Sequence, residues 1–440
     1  MAGVELKGGK MRKLAVSIVM ALAVAAFAVP AFATNGTDVI GVGPISRSMG
    51  GVGAAAPQDA ISAVFANPAA MCYIPCETSE VDFAATVFDP TVKAKVTFPT
   101  EVGPQSVKAT SQGAPYAFPA IGIYTPITPD LRFGLAAYGV AGLGVDYKDT
   151  DLKNVGQAFG ISTPGTDVKT DLQIMKFAPN LAYRILPNLS VGAALQINWA
   201  ALDLGDGSAH NFGIGTQLGV IYKPIDPFTV GVTYQTAQSH EFKRIANFNP
   251  PAFAGFGTPF DTERDTLKLE QPQQVVLGLA YDIIPSKLLI EADGKWLNWS
   301  NADGYKDFGW DDQWVAAVGV QARPIDWLAV RVGYNYANNP LKKHDNFDAF
   351  GVTRLQGTPV NTFFYEYLRT IGFPAIVEQH VTAGLGINIT KKVSLNVGYT
   401  HAFEHTFSEK TKVAALGGQP LKLESSLAEN SYEFGVNIMF

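Results

Sequence analysis

Residues 189–199 read Leu-Ser-Val-Gly-Ala-Ala-Leu-Gln-Ile-Asn-Trp. In an extended chain Leu189, Val191, Ala193, Leu195, Ile197 and Trp199 fall on one side, and Ser190, Gly192, Ala194, Gln196 and Asn198 on the other. A period of two marks a strand with two unlike faces. The pattern recurs: Leu328, Val330, Val332, Tyr334 and Tyr336 oppose Arg331, Gly333 and Asn335. Val393, Leu395, Val397 and Tyr399 likewise oppose Ser394, Asn396, Gly398 and Thr400. Fourteen strands are predicted, centred on 80–89, 115–125, 130–140, 169–184, 188–200, 211–223, 228–240, 266–282, 286–299, 311–323, 326–337, 376–389, 392–404 and 427–440. Glycine and proline interrupt the first three most.

The connections separate a membrane barrel from a soluble sandwich. Pro126–Asp130, Leu186–Asn188, Lys223–Pro227, Ile284–Lys287, Arg323–Asp326 and Thr390–Lys392 are short turns. They alternate with longer polar stretches near 90–114, 141–168, 201–210, 241–265, 300–310, 338–375 and 405–426. Short turns at one end and long loops at the other are the asymmetry of a transmembrane β-barrel. The chain ends on Phe434, Val436, Ile438 and Phe440, facing lipid, with Glu433, Gly435 and Asn437 toward the lumen. A strand of this kind closes the sheet and removes its edges, as lipid requires. The fold class expected is all-β: a 14-stranded antiparallel transmembrane β-barrel, to which the family resemblance given below adds an N-terminal hatch as its plug.

The N-terminus carries an export signal. Met11-Arg12-Lys13 is basic, Leu14–Val29 is almost wholly apolar, and Pro30-Ala31-Phe32-Ala33 ends in an AxA-like cleavage site, which places the mature start at Thr34. The initiator is Met1 or Met11. No later window holds ~20 continuous apolar residues, so no spanning helix is expected. Hydrophobic residues make up 47% of the chain, too many for a disordered one. Removing residues 1–33 takes away four Lys/Arg and one Asp/Glu, leaving 29 basic and 38 acidic side chains. That balance argues against nucleic-acid binding.

Between leader and strands lies Gly41–Pro75, GVGPISRSMGGVGAAAPQDAISAVFANPAAMCYIP, which lacks the alternation and has little with which to build its own core. Its Arg47, Gly50, Gly51, Gly53, Asp59 and Asn67-Pro68-Ala69 resemble the N-terminal hatch of the outer-membrane long-chain fatty-acid and aromatic-hydrocarbon transporters, the FadL/TodX type. Gln271-Pro272-Gln273, Gly278–Tyr281, Asp293–Ser300, Pro374–His380, Gly384–Gly386 and Leu395–His401 resemble strand patterns of the same family. Residues 1–33 are then a signal peptide, 34–79 the hatch and 80–440 the barrel. The resemblance implies passive uptake of hydrophobic small molecules across the bacterial outer membrane, with a loop-side collecting site and passage beside a moved hatch. It also implies that the third strand, Leu131–Gly144, can distort to open the wall, with Gly139, Gly142 and Gly144 as the weak points. A normal strand running into a loop is the other reading of those letters. The expected partners are hydrophobic ligand and outer-membrane lipid, for a monomer with its C-terminus on the periplasmic side. Two other functions stay open: a structural or adhesive barrel without transport, and a diffusion porin.

No nucleophile elbow, HExxH, P-loop or dinucleotide fingerprint is present, so no enzyme and no cofactor is expected. Phe248, Phe253, Phe256 and Phe260 in one long loop, with Phe363, Phe364, Tyr365 and Tyr367 in another, either form an apolar collecting groove or pack to close the mouth. Glu291, Asp293, Lys295 and Arg331 are expected to face inward and pair, because a basic residue facing hydrocarbon costs about 2–4 kcal/mol near the midplane. Trp296 and Trp299 are read as interfacial. Cys72 and Cys76 suit a disulfide clipping the exit turn of the hatch, with two free thiols as the alternative. Lacking a flanking His pair or a second CxxC, they do not make a zinc site.

Overall fold

The computed structural model describes residues 34–74, 78–158, 168–248, 262–414 and 417–440. Fourteen antiparallel strands close into a ring. In order they are Glu80–Phe98, Tyr116–Pro126, Leu131–Asp146, Lys169–Leu186, Leu189–Asp203, Ser208–Ile225, Phe228–Gln235, Gln274–Ile284, Leu288–Leu297, Gln313–Ile325, Leu328–Ala337, Gln379–Asn388, Val393–Val413 and Gln419–Met439. Each pairs with its neighbours in sequence, and the last pairs with the first from Met439↔Glu80 to Lys422↔Thr97. Closure leaves no edge whose amides lack partners, which is the condition for spanning a bilayer with strands. No helix among the described residues is long and apolar enough to cross a membrane.

The two faces are inverted relative to a soluble protein. Phe434, Val332, Leu277 and Leu218 are each about half exposed on the outer surface. Gln196, Asn198, Gln321, Arg331 and Glu433 are buried inside. An apolar band of this extent would be an aggregation surface in water and is a solvation surface in lipid.

Three expectations need correction. The segments 228–240 and 266–282 do not run unbroken: Gln238–Ala246 and Asp265–Gln271 form a separate two-stranded sheet above the seventh and eighth barrel strands. Pro272 has no N–H to continue the ladder, and the chain leaves the ring there. The stretch 405–426 is no loop but a continuation of the last two strands, paired to Val413↔Gln419. A bulge between Ala402 and His405 switches which parity faces out and hides the period of two. Trp299 is not interfacial: it is fully buried against Tyr305 and Trp310, with ring centroids 4.6 and 5.0 Å away. Trp296 lies beside Trp314 and donates to Asp312 (2.9 Å).

A lysine at Phe434 would sit in the apolar band, so Phe434→Lys should destabilise the barrel by up to ~2–4 kcal/mol. Thr91→Lys, outward-facing but beyond the apolar run Val81–Val87 of the first strand, should be close to neutral. The temperature at which the heat-modifiable electrophoretic shift is lost would measure both.

Candidate functional site

The segment from Thr34 to Ile74 lies inside the ring. Pro44–Ser48 is a short helix, Ala60–Ala66 a second, and Pro68–Cys72 a 3-10 turn. Asp59 starts the second helix by accepting from Ser62 N (2.9 Å), and Asn67 starts the turn by accepting from Ala69 N (3.0 Å). Gly50 and Gly51 between them sit at φ +73° and +84°, a left-handed bend suited to glycine.

Elements this short leave many backbone amides unpaired, and the wall supplies their acceptors. Asp293 Oδ2 accepts from Gly53 N and Ala54 N at 3.0 and 3.1 Å, and Glu291 Oε1 from Ala55 N and Ala56 N at 2.8 and 2.9 Å. Glu80 accepts from Ala60 N (3.0 Å) and Asp82 from Ile61 N (3.1 Å). Arg47 donates to Glu433 (2.7 Å) and Ser431 (2.7 Å), a fully buried ion pair with the last strand. Asn67 Nδ2 donates to Ala54 O (2.7 Å), tying the turn back to the middle of the segment, and to Val220 O of the wall (3.2 Å).

Close approach makes these bonds possible, and glycine permits it. Eleven of the fourteen strands place a glycine against the segment. Four sets are direct cross-strand partners: Gly192↔Gly219, Gly231↔Gly278, Gly319↔Gly333 and Gly384↔Gly398. A Cβ at Gly231 would lie 1.8 Å from Ala54 O, and one at Gly333 2.2 Å from Gly50 N. Two of the three remaining strands, the first and the ninth, carry the carboxylates just described. The glycines of the segment stand out in the sequence, whereas their counterparts in the wall do not, because only strand register brings those to one level.

The inward charges are therefore held differently from expectation. Glu291 and Asp293 meet backbone amides rather than cations. Arg331, on another strand, donates to the neutral amides of Gln321 (2.7 Å) and Asn396 (2.8 Å). No salt bridge joins the four among the described residues. Cys72 is buried with its Sγ 3.9 Å from Asp130 O, while Cys76, and with it the proposed disulfide, lies outside the described residues.

The wall is broken beside the segment. The ladder between the second and third strands stops at Ala120↔Tyr138, and resumes only where Gln112 N donates to Asp146 O (2.8 Å). In between, the third strand turns to the N-terminal segment: Asp38 pairs with Ala141, and Gly142 N donates to Thr37 O (3.0 Å). On its other side the register shifts between Gly139 and Ala141. Two of the three glycines singled out in the sequence, Gly139 and Gly142, thus lie at the irregularity. Gly144 keeps its partner Asp171. A cavity of about 50 Å³ lies against this break, lined by Asp38, Val39, Phe65, Val140, Lys176 and Lys295 among others. Lys176 donates to Gln196 and Gln235, each at 3.1 Å.

At the long-loop end the ring is capped. Phe363, Tyr365 and Tyr367 are buried in and after the helix Thr362–Tyr367, and Phe308 stacks on Phe373 (5.0 Å). These aromatics pack to close the mouth. Phe364 is partly buried against the same core. Phe248 is buried and donates through its N–H to Asp265 (2.8 Å), whereas Phe253, Phe256 and Phe260 lie outside the described residues. Arg369 fastens the cap to the thirteenth strand, bonding Glu366, Glu409 and Phe308 O. Burial opposes its charge, but the carboxylates of Glu409 and Glu366 outweigh it and hold its proton more firmly than usual. His344, Glu366 and Glu409 come within 4.8 Å of one another, yet the guanidinium already occupies the two carboxylates, so an arginine fills the place of a cation.

The sequence matches the profile of the outer membrane protein transport proteins (OMPP1/FadL/TodX) over residues 19–209 and 206–347. Among solved structures, a FadL homologue from Pseudomonas aeruginosa is similar at 16% identity and TM-score 0.64, covering 92% of this chain and 99% of its own. The toluene transporter TodX of Pseudomonas putida aligns at 18% identity over 92% and 100%, TM-score 0.61. The toluene transporter TbuX of Ralstonia pickettii gives 16% over 91% and 98%, TM-score 0.59. No curated protein sequence matches.

Gly231→Val should expel the Gly53–Ala56 stretch from its carboxylates, giving faster proteolysis of the N-terminal segment in otherwise closed barrels. Gly294→Ala, where an added Cβ meets nothing within 4 Å, should leave digestion unchanged. Limited proteolysis of the purified variants compares the two.

Proposed function

The chain belongs to the outer membrane protein transport protein family (OMPP1/FadL/TodX), and we propose that it takes up hydrophobic small molecules passively across the bacterial outer membrane. Long-chain fatty acids and aromatic or aliphatic hydrocarbons are the cargo classes. In this reading the protein works as a monomer, with the long connections outside and the C-terminus in the periplasm. Residues 34–79 are a hatch, and Asn67-Pro68-Ala69 seats it.

One observation carries the proposal: the internal cavity and the break in the wall share residues. Asp38, Val39 and Val140 line the cavity, and Asp38 is itself the residue that pairs across the break with Ala141. An apolar molecule in such a cavity has a path toward hydrocarbon that avoids rehydration, which would cost roughly 25 cal/mol for each Å² of apolar surface exposed to water. Toluene transport by the Pseudomonas putida and Ralstonia pickettii proteins supports the same class of cargo. The filled lumen argues against a diffusion porin, which needs an open polar channel. The many bonds from wall to hatch favour a second reading, a plug that never moves.

Asp38→Cys with Ala141→Cys separates these readings, because directly paired antiparallel residues stand at disulfide-compatible spacing. The oxidised pair should abolish uptake of a hydrophobic fluorescent probe into proteoliposomes, and reduction should restore it. Full uptake in the oxidised form would remove the break from the route, and uptake in the reduced form no greater than in protein-free liposomes would support the fixed plug. Asn67→Ala releases both Ala54 O and Val220 O. It should keep barrel assembly while changing probe uptake or admitting a small hydrophilic dye. Reduced membrane abundance with unchanged flux per molecule would make Asn67 an anchor only.

A further inference from the structure

A second, small cavity of about 20 Å³ is lined by Thr34 and Glu429, with Phe88, Val92, Leu143 and Leu427 as apolar walls. Glu429 is 4% exposed, and its Oε2 has no hydrogen-bond partner among the described residues. The nearest basic group is His380, whose Nε2 is 3.7 Å away and beyond hydrogen-bond reach. Arg47, also buried near this region, is committed to Glu433 and Ser431. A carboxylate so buried calls for a cation.

Thr34 is equally buried, at 3% exposure. It is held by pairing with Val39 and by its hydroxyl, which donates to Gly36 O (3.0 Å). Hydrolysis of the Ala33–Thr34 bond by the export signal peptidase adds water across it. Ala33 leaves as a carboxylate and the Thr34 nitrogen becomes an α-ammonium. That new charge appears inside the barrel, where it too would be costly without a counter-ion.

We propose that the α-ammonium created at Thr34 by removal of residues 1–33 pairs with Glu429, so that the N-terminal segment is fastened at its first residue only in the processed chain. Two buried groups of opposite charge then satisfy one another in one cavity, where Glu429 Oε2 otherwise has the His380 ring at 3.7 Å and no hydrogen bond among the described residues. The pair sits at the start of the same segment whose Thr37 and Asp38 bond the third strand at the wall break, so processing and seating become one event. The inference rests on the reading of the leader and not on transport.

The test uses the full mature protein extracted from outer membranes in detergent. N-terminal sequencing should begin at Thr34. Acetylation of the α-amine by acetic anhydride is then followed against pH by mass spectrometry of the N-terminal peptide, in wild type and Glu429→Gln. Burial is the same in both proteins, but only the carboxylate stabilises the ammonium. The wild-type midpoint should therefore lie at least about one pH unit above that of the variant. At a fixed pH below both midpoints this is roughly tenfold slower acetylation. Should Glu429→Gln fail to assemble, Glu429→Asp, which keeps the carboxylate but shortens its reach, is compared instead, and a midpoint below that of wild type is expected. Equal midpoints, or a mature chain beginning elsewhere, would overturn the proposal. Probe uptake measured on the same samples keeps the outcome separate from the transport reading.

Discussion

Four consecutive backbone amides, Gly53 to Ala56, end on two carboxylates of a single barrel strand. Most of the interior follows from that arrangement. A chain segment with little regular structure cannot satisfy its own N–H groups, and water is scarce inside a filled barrel. The wall must therefore present acceptors at the right height and let the backbone come near enough to use them. Glu291 and Asp293 do the first, and glycines such as Gly231 and Gly278 do the second. The N-terminal segment and the inner wall thus form one core. Polar contacts and close backbone packing join an apolar cluster in which Ile61, Val64 and Met71 of the segment meet the wall.

The same constraint explains where the wall gives way. Between Gln112 and Ala120 the chain that enters the second strand has no ladder to the third, and the third strand's freed backbone bonds Thr37 and Asp38. A strand borrowed from the interior seals the gap with only a few bonds, whereas the neighbouring ladders run for ten or more residues. The interruption in the wall and the first residues of the segment are therefore one structural unit.

Much of this architecture was legible in the letters. The alternation at Leu189–Trp199 survives because one face meets lipid along its whole length, and the six short turns set the odd-even order of connections. Strand ends were harder. Pro272 cut a predicted strand in two, and the bulge at Ala402 masked an extension well beyond the membrane. Trp299 misled because its residue type is favoured both at a lipid interface and in an aromatic cluster, and only the fold of 299–310 chose between them. The inward charges were placed on the correct face, but their partners were not: an amide N–H leaves no trace in a sequence. The wall glycines were invisible for a related reason. Singly each reads as a weak point in a strand, and their common level exists only in the register between strands.

The buried pair of Arg47 and Glu433 joins residues 386 positions apart in the chain. Its acidic partner lies on the last strand, so the bond cannot form until nearly the whole chain has been made and delivered. The segment that carries Arg47, by contrast, is attached directly to the first strand and is present from the start. Glu433 also belongs to the seam that closes the ring, since its strand pairs with the first. Docking of the final strand therefore completes the enclosure and neutralises the arginine inside it together. An unfinished barrel holds an unmatched guanidinium in its mouth, and a closed one does not. Through this bond the chain couples the correctness of its contents to the closing of their container, an order of assembly written into one long-range contact.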